Sequence, residues 1–453
     1  MSTERDTQKS IVVIGAGPAG LYAARELVAS GARVAVLNRD IKPGGLAEYG
    51  IYPTKHKMKE GLRKQFRQIL QLPNLDYYGN VTVGENADLS LEDLKAAGYK
   101  AILVTAGAQG TKWLGLPGEE IPKGVYHAKD IVYHYNRLPP NSLKTYFIGK
   151  RVALVGVGNV MLDIARWLIR QQKVDEVYAV ARRGPAEVKF DKKEMEYVIA
   201  NLDLRALDEE LKRVTPAMEA VGQDVNEARE YIYSALSKAM EPVSQTVFRL
   251  KFLSSPVRIL GDDRGQVSEL EIEETYLVRT NGDTKAKGTG NRHIIQVDSV
   301  IFAIGDKVDD HFGLPVKWNE FVKNPVPKYP VDGISYEAYD PESGNPLEGI
   351  FLAGWSREAS SGLVGIARKD GERAAKAVLQ YVETLPPGAT AGASEALEQR
   401  LQKLGKPVIR KEDIARLEAV EQAEAESQGL EEFKYSSNDE MLTAMGMALE
   451  AKA

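Results

Sequence analysis

Two glycine-rich segments in this chain have the residue spacing of phosphate-binding turns. The first, Gly15-Ala-Gly17-Pro-Ala-Gly20, follows the apolar run 11–14 and precedes a helix-like stretch that Gly31 closes. In such a turn the first glycine permits a tight bend, the second lets the backbone approach a pyrophosphate, and the third lets helix and strand pack closely. The N–H groups and the positive dipole at the start of the helix would then bind the phosphates. The context of strand, turn, helix and strand makes this segment a candidate dinucleotide site.

The second segment, Gly156-Val-Gly158-Asn-Val-Met161, stands between the apolar run 151–155 and a helix-like stretch at 163–170. It is too far along the chain to belong to the same mononucleotide-binding unit as the first. Either segment alone could be an ordinary glycine turn of another α/β fold. Two of them in the same context predict two separate nucleotide sites.

The residue types after the second turn indicate which nucleotide it binds. Arg182 and Arg183 directly follow the strand 176–181. An NAD site places an acidic residue on the ribose at this point, whereas an NADP site places arginine on the 2′-phosphate. Guanidinium groups bind phosphate through two parallel hydrogen bonds, so NADP(H) is favoured. The alternative is a solvated arginine pair at the end of a strand.

Composition excludes several classes of chemistry. The chain has no cysteine, so it has no disulfide, redox dithiol, thiolate nucleophile or cysteine-ligated iron–sulfur cluster, and its electron chemistry must use a bound organic cofactor. The 5 histidines are scattered and predict no metal site. A net charge of −5 gives no reason to expect nucleic acid as a partner. The polar N-terminus and the lack of a long apolar run predict a cytoplasmic protein without a membrane span.

The order of the predicted elements indicates an α/β fold with two Rossmann-like dinucleotide-binding domains. The second domain, 111–324, is predicted to be inserted into a discontinuous first domain formed by 1–110 and 325–453. The segment 383–394 is interpreted as a linker because it is rich in proline, glycine and small residues. The tail 395–453 is predicted to be helical and surface-facing.

Motifs along nearly the whole chain resemble adrenodoxin reductase and the similar bacterial ferredoxin–NADP reductases. Besides the two turns, they include Pro43-Gly-Gly-Leu46, Arg182-Arg-Gly-Pro185, Ala353-Gly-Trp355, and the C-terminal segment with Lys434 and Glu440-Met-Leu442. The resemblance implies FAD in the split domain, NADP in the inserted domain, and single electrons passing from the flavin to a ferredoxin, a similar acidic iron–sulfur protein or a flavodoxin. The implied activity is that of an FAD-dependent ferredoxin–NADP(+) reductase.

The resemblance also implies which residues bind the cofactors. They are Gly15, Gly17, Pro18, Ala19, Gly20, Asn38, Arg39, Gly45, Leu46, Tyr49, Gly107, Gly354, Trp355, Gly362, Gly365 and Ile366 for FAD, and Gly156, Gly158, Asn159, Val160, Arg182, Arg183 and Glu194 for NADP. Two positions depart from the family pattern. Asn38 stands where a glutamate usually binds the ribose of FAD, so ribose binding is expected to be weaker or to involve Asp40. Met161 stands where alanine is common and is expected to crowd the helix.

A third departure concerns the catalytic residues. The family has an Asp-His pair near the flavin and the nicotinamide, whereas this chain has Thr54-Lys55 in that register, followed by His56. Either Lys55 or His56 is a candidate for proton transfer, with Glu194 as the matching acid in the nucleotide domain. The alternative is that Lys55 and His56 only solvate the start of a helix.

Basic residues recur every four positions in the segment that follows. These basic residues are Lys55, Lys59, Arg63 and Arg67. An apolar stripe on the opposite side of the predicted helix consists of Met58, Leu62, Phe66, Ile69 and Leu70. This pattern predicts an amphipathic helix on which Lys59, Arg63 and Arg67 form a docking surface for an acidic iron–sulfur protein. A plain solvated helix face is the alternative.

Two other functions share part of this sequence pattern. A flavoprotein subunit of a glutamate-synthase-like or electron-bifurcating complex shares the two nucleotide domains, but such subunits carry a cysteine-rich cluster domain that this sequence lacks. A non-catalytic nucleotide-binding flavoprotein is the other alternative, which the residues at Asn38, Lys55 and Met161 keep open. Thioredoxin reductase is excluded because the chain has no dithiol.

Overall fold

The computed structural model describes residues 9–359 and 362–447 of the chain. The strands are, in chain order, β1 (Ser10–Ile14), β2 (Arg33–Asn38), β3 (Leu75–Gly79), β4 (Ile102–Val104), β5 (Gly110–Thr111), β6 (Val125–His127), β7 (Arg151–Val155), β8 (Glu176–Val180), β9 (Val247–Lys251), β10 (Ser254–Gly261), β11 (Val267–Thr280), β12 (Asp283–Gln296), β13 (Ser299–Phe302), β14 (Asp306–Lys307), β15 (Val316–Lys317), β16 (Glu320–Phe321), β17 (Glu337–Asp340) and β18 (Asn345–Leu352).

The α-helices lie mainly between these strands and in the C-terminal region. They are α1 (Pro18–Ala29), α2 (Leu46–Tyr49), α3 (His56–Leu70), α4 (Leu91–Ala96), α5 (Ala128–Tyr135), α6 (Asn159–Trp167), α7 (Lys192–Met195), α8 (Leu204–Glu219), α9 (Val225–Tyr233), α10 (Val364–Glu383), α11 (Ala393–Leu401), α12 (Lys411–Ser427) and α13 (Asn438–Ala444). None of the helices in the described residues is long and apolar enough to cross a membrane.

The first of two compact units comprises the described residues within 1–112, 133–143 and 305–453. Its six-stranded sheet has the order β17-β18-β4-β1-β2-β3, and all neighbouring strands except β17 and β18 run parallel. Alternate residues of β1 point to opposite faces. Ile11 and Val13 pack in a core with α1 and α10, whereas Val12 and Ile14 pack in a second core on the other face. The strand is therefore buried on both faces, as its continuous apolar run requires.

The second unit comprises residues 113–132 and 144–304. Its five parallel strands have the order β6-β13-β7-β8-β9. The antiparallel sheet of β10, β11 and β12 packs on one face, where Leu270 and Ile272 share a core with Val155 and Phe302. The predicted α/β fold with parallel sheets and a helical C-terminal region is confirmed.

The boundaries of these units differ from the predicted ones in two places. Residues 305–324 were predicted to lie in the second domain, but 305 onward belongs to the first unit. The reason is that β14 pairs with β5 and that Phe312 and Phe321 lie in the core with Val12. Residues 133–143 also belong to the first unit, because Tyr133 and Leu138 pack on Tyr49.

The C-terminal tail is helical but is not confined to the surface. Leu397 and Leu401 of α11, Leu417 of α12 and Met441 of α13 are buried in the cores of the first unit. The prediction of a surface-facing tail was therefore wrong, because each short helix buries one apolar side against the sheet and its helices. The predicted linker is also anchored, since the Ser10 N–H donates to Thr390 Oγ1 at 2.8 Å.

Candidate functional site

The first glycine turn joins β1 to α1 and combines two crowded positions with one open position. Gly15 has φ +108°, and a Cβ on it would lie 2.4 Å from the Thr105 carbonyl oxygen. A Cβ on Gly20 would lie 2.0 Å from the Gly15 oxygen. Gly17, the N-cap of α1, has nothing within 4 Å of its Cβ position. Packing therefore requires glycine at 15 and 20, whereas at 17 glycine leaves a space that a phosphate group fits.

The second glycine turn repeats this geometry between β7 and α6. Gly156 has φ +127°, and its Cβ would lie 2.3 Å from the oxygen of Ala303, which follows the neighbouring strand β13 just as Thr105 follows β4. Gly158 is the N-cap of α6 and has nothing within 4 Å of its Cβ position. The two turns therefore offer the same kind of open helix start in two different units.

The residues after Gly158 have three different environments. Asn159 exchanges two hydrogen bonds with Asp191, donating to its carboxylate at 2.8 Å and accepting from its N–H at 2.7 Å. Val160 is 45% exposed beside the open turn. Met161 is fully buried, so α6 places a bulky core residue where α1 has Gly20.

Gly15→Ala is expected to destabilise the first turn, because the added methyl group would lie 2.4 Å from the Thr105 carbonyl oxygen. Gly31→Ala is the matched control, since Gly31 has φ +91° but nothing within 4 Å of its Cβ position. Strain at a positive φ costs about 1–2 kcal/mol in either variant. We expect a further loss of about 1–3 kcal/mol from the clash in Gly15→Ala alone. Equal unfolding midpoints in a urea titration of the two variants would contradict this expectation.

The loop before α2 lies directly against the first turn. The Gly44 N–H donates to the Ala16 carbonyl oxygen at 2.7 Å, and a Cβ on Gly45 would lie 3.3 Å from the Gly17 Cα. Leu46 begins α2 and is half-buried, and Tyr49 ends it with 2% exposure. The loop therefore forms one wall of the space above Gly17.

Residues near the C-terminal part of the chain form another side of the same turn. A Cβ on Gly354 would lie 2.8 Å from the Ala19 Cβ, and a Cβ on Gly371 of α10 would lie 2.1 Å from the Ala19 oxygen. The half-buried Trp355 is in the short 3₁₀ turn Gly354–Ser356. This turn is held by the Asp370 carboxylate, which accepts from the Gly354 N–H at 2.6 Å.

The loop after β4 is tied to that turn. The Gly107 N–H donates to Ser356 Oγ at 2.9 Å. Ser356 is fully buried, so this bond is shielded from solvent. Asp370 and Ser356, which position the predicted residues Gly354 and Gly107, were not singled out from the sequence because their partners are distant along the chain.

The start of α10 exposes apolar side chains. Leu363 is 67% exposed and Ile366 is 57% exposed, while Gly362 adopts φ +74° and Gly365 has nothing within 4 Å of its Cβ position. The first N–H groups of a helix have no partner within it, and they carry the positive end of its dipole. An apolar surface next to such donors fits a planar ring that bears anionic oxygen or nitrogen atoms.

Asn38 ties the end of β2 to the first glycine turn. Its Oδ1 accepts from the Ala16 N–H at 3.0 Å, and its Nδ2 donates to the Asp40 and Lys42 oxygens at 2.8 and 3.0 Å. The residue is 7% exposed. Its side chain fastens the end of β2 to the glycine turn, and its predicted contact with ribose stays a prediction.

The arginine pair follows β8, as predicted. Arg182 is exposed, and Arg183 lies 3.8 Å from a Glu187 carboxylate oxygen. Burial raises the pKa of Glu187 despite its hydrogen bond from the Gly184 N–H and the nearby Arg183 charge. Both arginines follow the carboxyl end of β8, in the parallel sheet whose strand β7 leads to Gly156. Glu194 is half-buried in α7 of the same unit.

The candidate proton-transfer residues lie at the start of α3. Lys55 is the half-buried N-cap of this helix, and His56 is its first residue. His56 Nε2 is 2.9 Å from a Glu431 carboxylate oxygen in the C-terminal tail. Lys55 and His56 are in the first unit and Glu194 is in the second, so their shared catalytic role stays a prediction.

Comparison with known protein families identifies the family to which the chain belongs. The model of the pyridine nucleotide-disulphide oxidoreductase family matches residues 9–334, well over half of the chain. The chain belongs to this family. Because it has no cysteine, this pyridine nucleotide-disulphide oxidoreductase cannot use the disulphide chemistry in the family's description.

The names of two relatives with similar sequences are more specific than the description of the family. The chain is 26% identical to the mouse protein named NADPH:adrenodoxin oxidoreductase, mitochondrial, covering 98% of this chain and 93% of that protein. It is 27% identical to NADPH-ferredoxin reductase FprA of Mycobacterium leprae, covering 80% of this chain and 81% of that protein. These relatives confirm the predicted resemblance to adrenodoxin reductase.

A solved structure supports the same fold. FprA of Mycobacterium tuberculosis in complex with NADPH aligns with a TM-score of 0.79 at 23% identity, covering 97% of this chain and 99% of that one. At this identity the likeness establishes the fold of this oxidoreductase and not its residue roles.

The predicted docking surface on α3 was wrong for two of its three residues. Lys59 is 1% exposed, and its ammonium group donates to Asn136 Oδ1 at 3.1 Å. The Arg63 side chain is 18% exposed and forms a two-pronged ion pair with Glu48, at 2.7 Å for both bonds. Arg67 is 42% exposed but pairs with Glu60 and Glu418. The helix turns its basic side inward because carboxylates from α2 and the tail neutralise it.

These inward charges form the Glu48 cluster, which consists of Lys42, Glu48, Lys59, Arg63, Glu421, Glu432 and Lys434. Burial favours the neutral form of Glu48, but the charges of Lys434, Lys42 and Arg63 hold its pKa well below the usual value. Burial lowers the pKa of Lys59 to about 8, and Lys434 also lowers it. The cluster joins α2, α3 and the tail.

Proposed function

We propose that this chain is an FAD-dependent oxidoreductase that transfers electrons between NADP(H) and a small iron–sulfur protein of the ferredoxin type. The observation that carries the proposal is the pair of open glycine positions, Gly17 and Gly158, each at a helix start in a different unit. The descriptions of the mouse and Mycobacterium leprae relatives support the same activity. A chain without cysteine needs organic cofactors for such chemistry.

FAD is assigned to the first unit. Its pyrophosphate would contact the N–H groups at the start of α1, above Gly17 and beside Pro18 and Ala19. The flavin ring would lie near Gly354, Trp355 and the start of α10, where Gly362, Gly365 and Ile366 leave donors and apolar surface exposed. Partial positive charge there stabilises negative charge on a reduced ring. Gly45, Leu46, Tyr49 and Gly107 belong to the surrounding loops.

NADP(H) is assigned to the second unit. Gly156, Gly158 and the start of α6 with Asn159 and Val160 would hold its pyrophosphate, and Arg182 and Arg183 would bind the 2′-phosphate. When bound, NADPH supplies a hydride, and FAD converts this two-electron input into single-electron output. Lys55, His56 and Glu194 are proposed to hold or move the accompanying proton.

The partner is expected to be an acidic ferredoxin or a flavodoxin. The surface of this chain that docks the partner does not include Lys59 or Arg63, because their charges are neutralised within the Glu48 cluster. A cytoplasmic location stays a prediction, and the mouse relative is described as mitochondrial.

Crossed substitutions test the two cofactor assignments. Gly17→Val places a side chain in the proposed FAD space, and Gly158→Val places one in the proposed NADP space. Neither added Cβ has an atom of the protein within 4 Å. A valine side chain in space needed by the cofactor is expected to weaken binding of that cofactor by about 1–3 kcal/mol, which is a roughly 5- to 150-fold higher Kd. We expect Gly17→Val to lose FAD on dialysis, and Gly158→Val to keep FAD but to raise the KM for NADPH.

Each variant is the control for the other. The assignment would be contradicted if Gly158→Val released FAD as readily as Gly17→Val, or if Gly17→Val changed only the KM for NADPH.

The activity itself is tested with the purified full chain. Its visible absorption spectrum should show an oxidised flavin, and acid extraction should release FAD rather than FMN. Anaerobic NADPH should bleach that absorbance, and added ferredoxin should be reduced in proportion to the NADPH consumed. A protein that binds no flavin after incubation with FAD would overturn the proposal. A protein that binds FAD but is not bleached by NADPH would favour the non-catalytic alternative.

A further inference from the structure

The solvent side of α3 carries positive charges that the Glu48 cluster does not neutralise. Lys57 and Lys64 are exposed, and neither ammonium group has a carboxylate partner in the part of the chain that the structure describes. Lys64 follows Lys57 by about two helical turns, so both side chains lie on the same side of the helix. The acidic residue of α3, Glu60, already pairs with Arg67. This side of α3 is therefore cationic, although the whole chain has a net charge of −5.

The surface between the two lysines is open. Gly61 lies about one turn from each of them and has nothing within 4 Å of its Cβ position. Glycine is unfavourable inside a helix, and packing within the protein does not require it at this open position. Met58 lies one turn before Gly61 and is 53% exposed. Exposed methionine is typical of protein interfaces, and a bare helix backbone beside it lets a partner approach closely.

The same surface continues towards α10. The Tyr22 hydroxyl of α1 donates to Gln65 of α3, and the guanidinium carbon of Arg368 lies 4.7 Å from the centre of the Tyr22 ring. Arg368 is in α10 about one turn from its start, where the flavin ring is proposed to lie, and pairs with Glu372. The next residue, Lys369, is exposed and has no carboxylate partner among the described residues. Positive charge therefore extends from α3 towards the proposed position of the flavin ring.

We propose that Lys57, Met58, Gly61 and Lys64, which we call the α3 outer face, form the docking surface for an acidic ferredoxin-type protein. This inference rests on the proposed function, because it takes such a protein to be the electron partner. Complementary charge would steer the encounter, and Met58 and Gly61 would permit close contact. A second copy of this chain fits less well, because a symmetric contact would bring two cationic surfaces together.

The first test reverses charge in the FAD-loaded full chain. Lys57→Glu with Lys64→Glu is compared with Lys95→Glu with Lys100→Glu, which changes the net charge equally. Lys95 and Lys100 are exposed and have no carboxylate partner among the described residues. Lys95 lies in α4, whose Leu94 packs on the other face of the sheet from α1 and α3. The readouts are the reduction by NADPH of an acidic two-iron ferredoxin and of a neutral quinone.

At low salt we expect reversal on the α3 outer face to lower kcat/KM for the ferredoxin roughly 10- to 100-fold. The control should change it by less than about threefold. Both variants should reduce the quinone like the natural chain, because a small neutral acceptor needs no docking surface. The difference between the variants should shrink as sodium chloride is added, since the screening length falls from about 10 Å at 0.1 M to about 3 Å at 1 M.

Gly61→Leu tests the surface without changing its charge, and it also serves if the charge-reversal variant does not fold. Leucine favours helix more than glycine, so the urea midpoint should stay the same or rise. The added side chain would separate the two proteins, so the KM for ferredoxin should rise at least about fivefold. A purely structural role of Gly61 does not predict a more stable protein that docks its partner less well.

The inference is overturned if reversal at Lys57 and Lys64 matches reversal at Lys95 and Lys100 in kcat/KM for ferredoxin, or if Gly61→Leu leaves that KM unchanged. Sedimentation provides a further check. A natural chain that is dimeric, with a monomeric Lys57 and Lys64 variant, would assign the surface to a second copy and also overturn the inference. A natural chain that NADPH bleaches but that reduces no ferredoxin would instead overturn the proposed function.

Discussion

Replacing Arg182 and Arg183 together with alanine is expected to raise the KM for NADPH about 100-fold and to leave the KM for NADH nearly unchanged. Both arginines follow the carboxyl end of β8, which neighbours the strand that leads to Gly156 and Gly158, and an NADP site binds the 2′-phosphate at this point. Hydrogen bonds to a charged group contribute about 1.5–3 kcal/mol, so losing one or two gives this order of effect. NADH lacks the 2′-phosphate and therefore lacks the interaction.

Steady-state reduction of ferricyanide with each nucleotide measures the effect without a protein partner. Arg205→Ala is the control, because Arg205 lies in the same unit with a side chain 90% exposed and pairs only across a helix turn with Glu209. An equal rise in the KM for NADH and NADPH would refute the assignment of the 2′-phosphate to the arginine pair.

Glu48→Gln is expected to destabilise the protein at neutral pH by about 3–5 kcal/mol, the usual effect of removing one partner from a buried ion pair. Glu48 is 3% exposed and contacts Lys42, Arg63 and Lys434, which would be left without their central carboxylate. Glu60→Gln is the matched control, since Glu60 also pairs with an arginine of α3 but its side chain is 57% exposed. We expect Glu60→Gln to change the free energy of unfolding by no more than about 1 kcal/mol.

The same residue predicts a pH dependence. Because the folded-state pKa of Glu48 lies well below its usual value of 4.5, its contribution is fully present above pH 4.5 and is lost as the pH falls through the folded-state pKa. The difference in unfolding free energy between the natural chain and Glu48→Gln should therefore shrink in acid. Urea unfolding followed by circular dichroism at several pH values measures it. A difference that does not vary with pH would show that Glu48 does not act through its charge.

The glycine turns could be predicted because their requirements are local. Gly15 has a positive φ and lies close to the backbone of another segment, and Gly17 leaves open space at its Cβ position. Glycine meets both requirements, so the glycines in the sequence are enough to predict the turn. The alternation of apolar strands with helices likewise predicted the α/β fold. These features depend on contacts that recur in the same way wherever a strand, a turn and a helix follow one another.

The local sequence pattern was not sufficient to predict which side of helix α3 faces solvent. Periodicity groups Lys59 and Arg63 on one side of the helix, but it does not say whether that side meets solvent or protein. The answer depends on Glu48 and on Glu432, which is 369 residues from Arg63 along the chain. Asn38 is similar, because its position in the sequence pattern indicated only a ligand contact, whereas its hydrogen bonds with Ala16 and Lys42 became apparent only in the folded structure.

The sequence by itself therefore determined the two glycine turns, the exclusion of thiol chemistry and the alternating fold. Tertiary structure alone decided which charges are buried, how the tail completes the first unit, and that Arg39 reaches Gln109 across the end of β1. The physical reason is that backbone geometry and residue chemistry act over a few neighbouring positions, whereas burial and charge pairing depend on segments that only folding brings together.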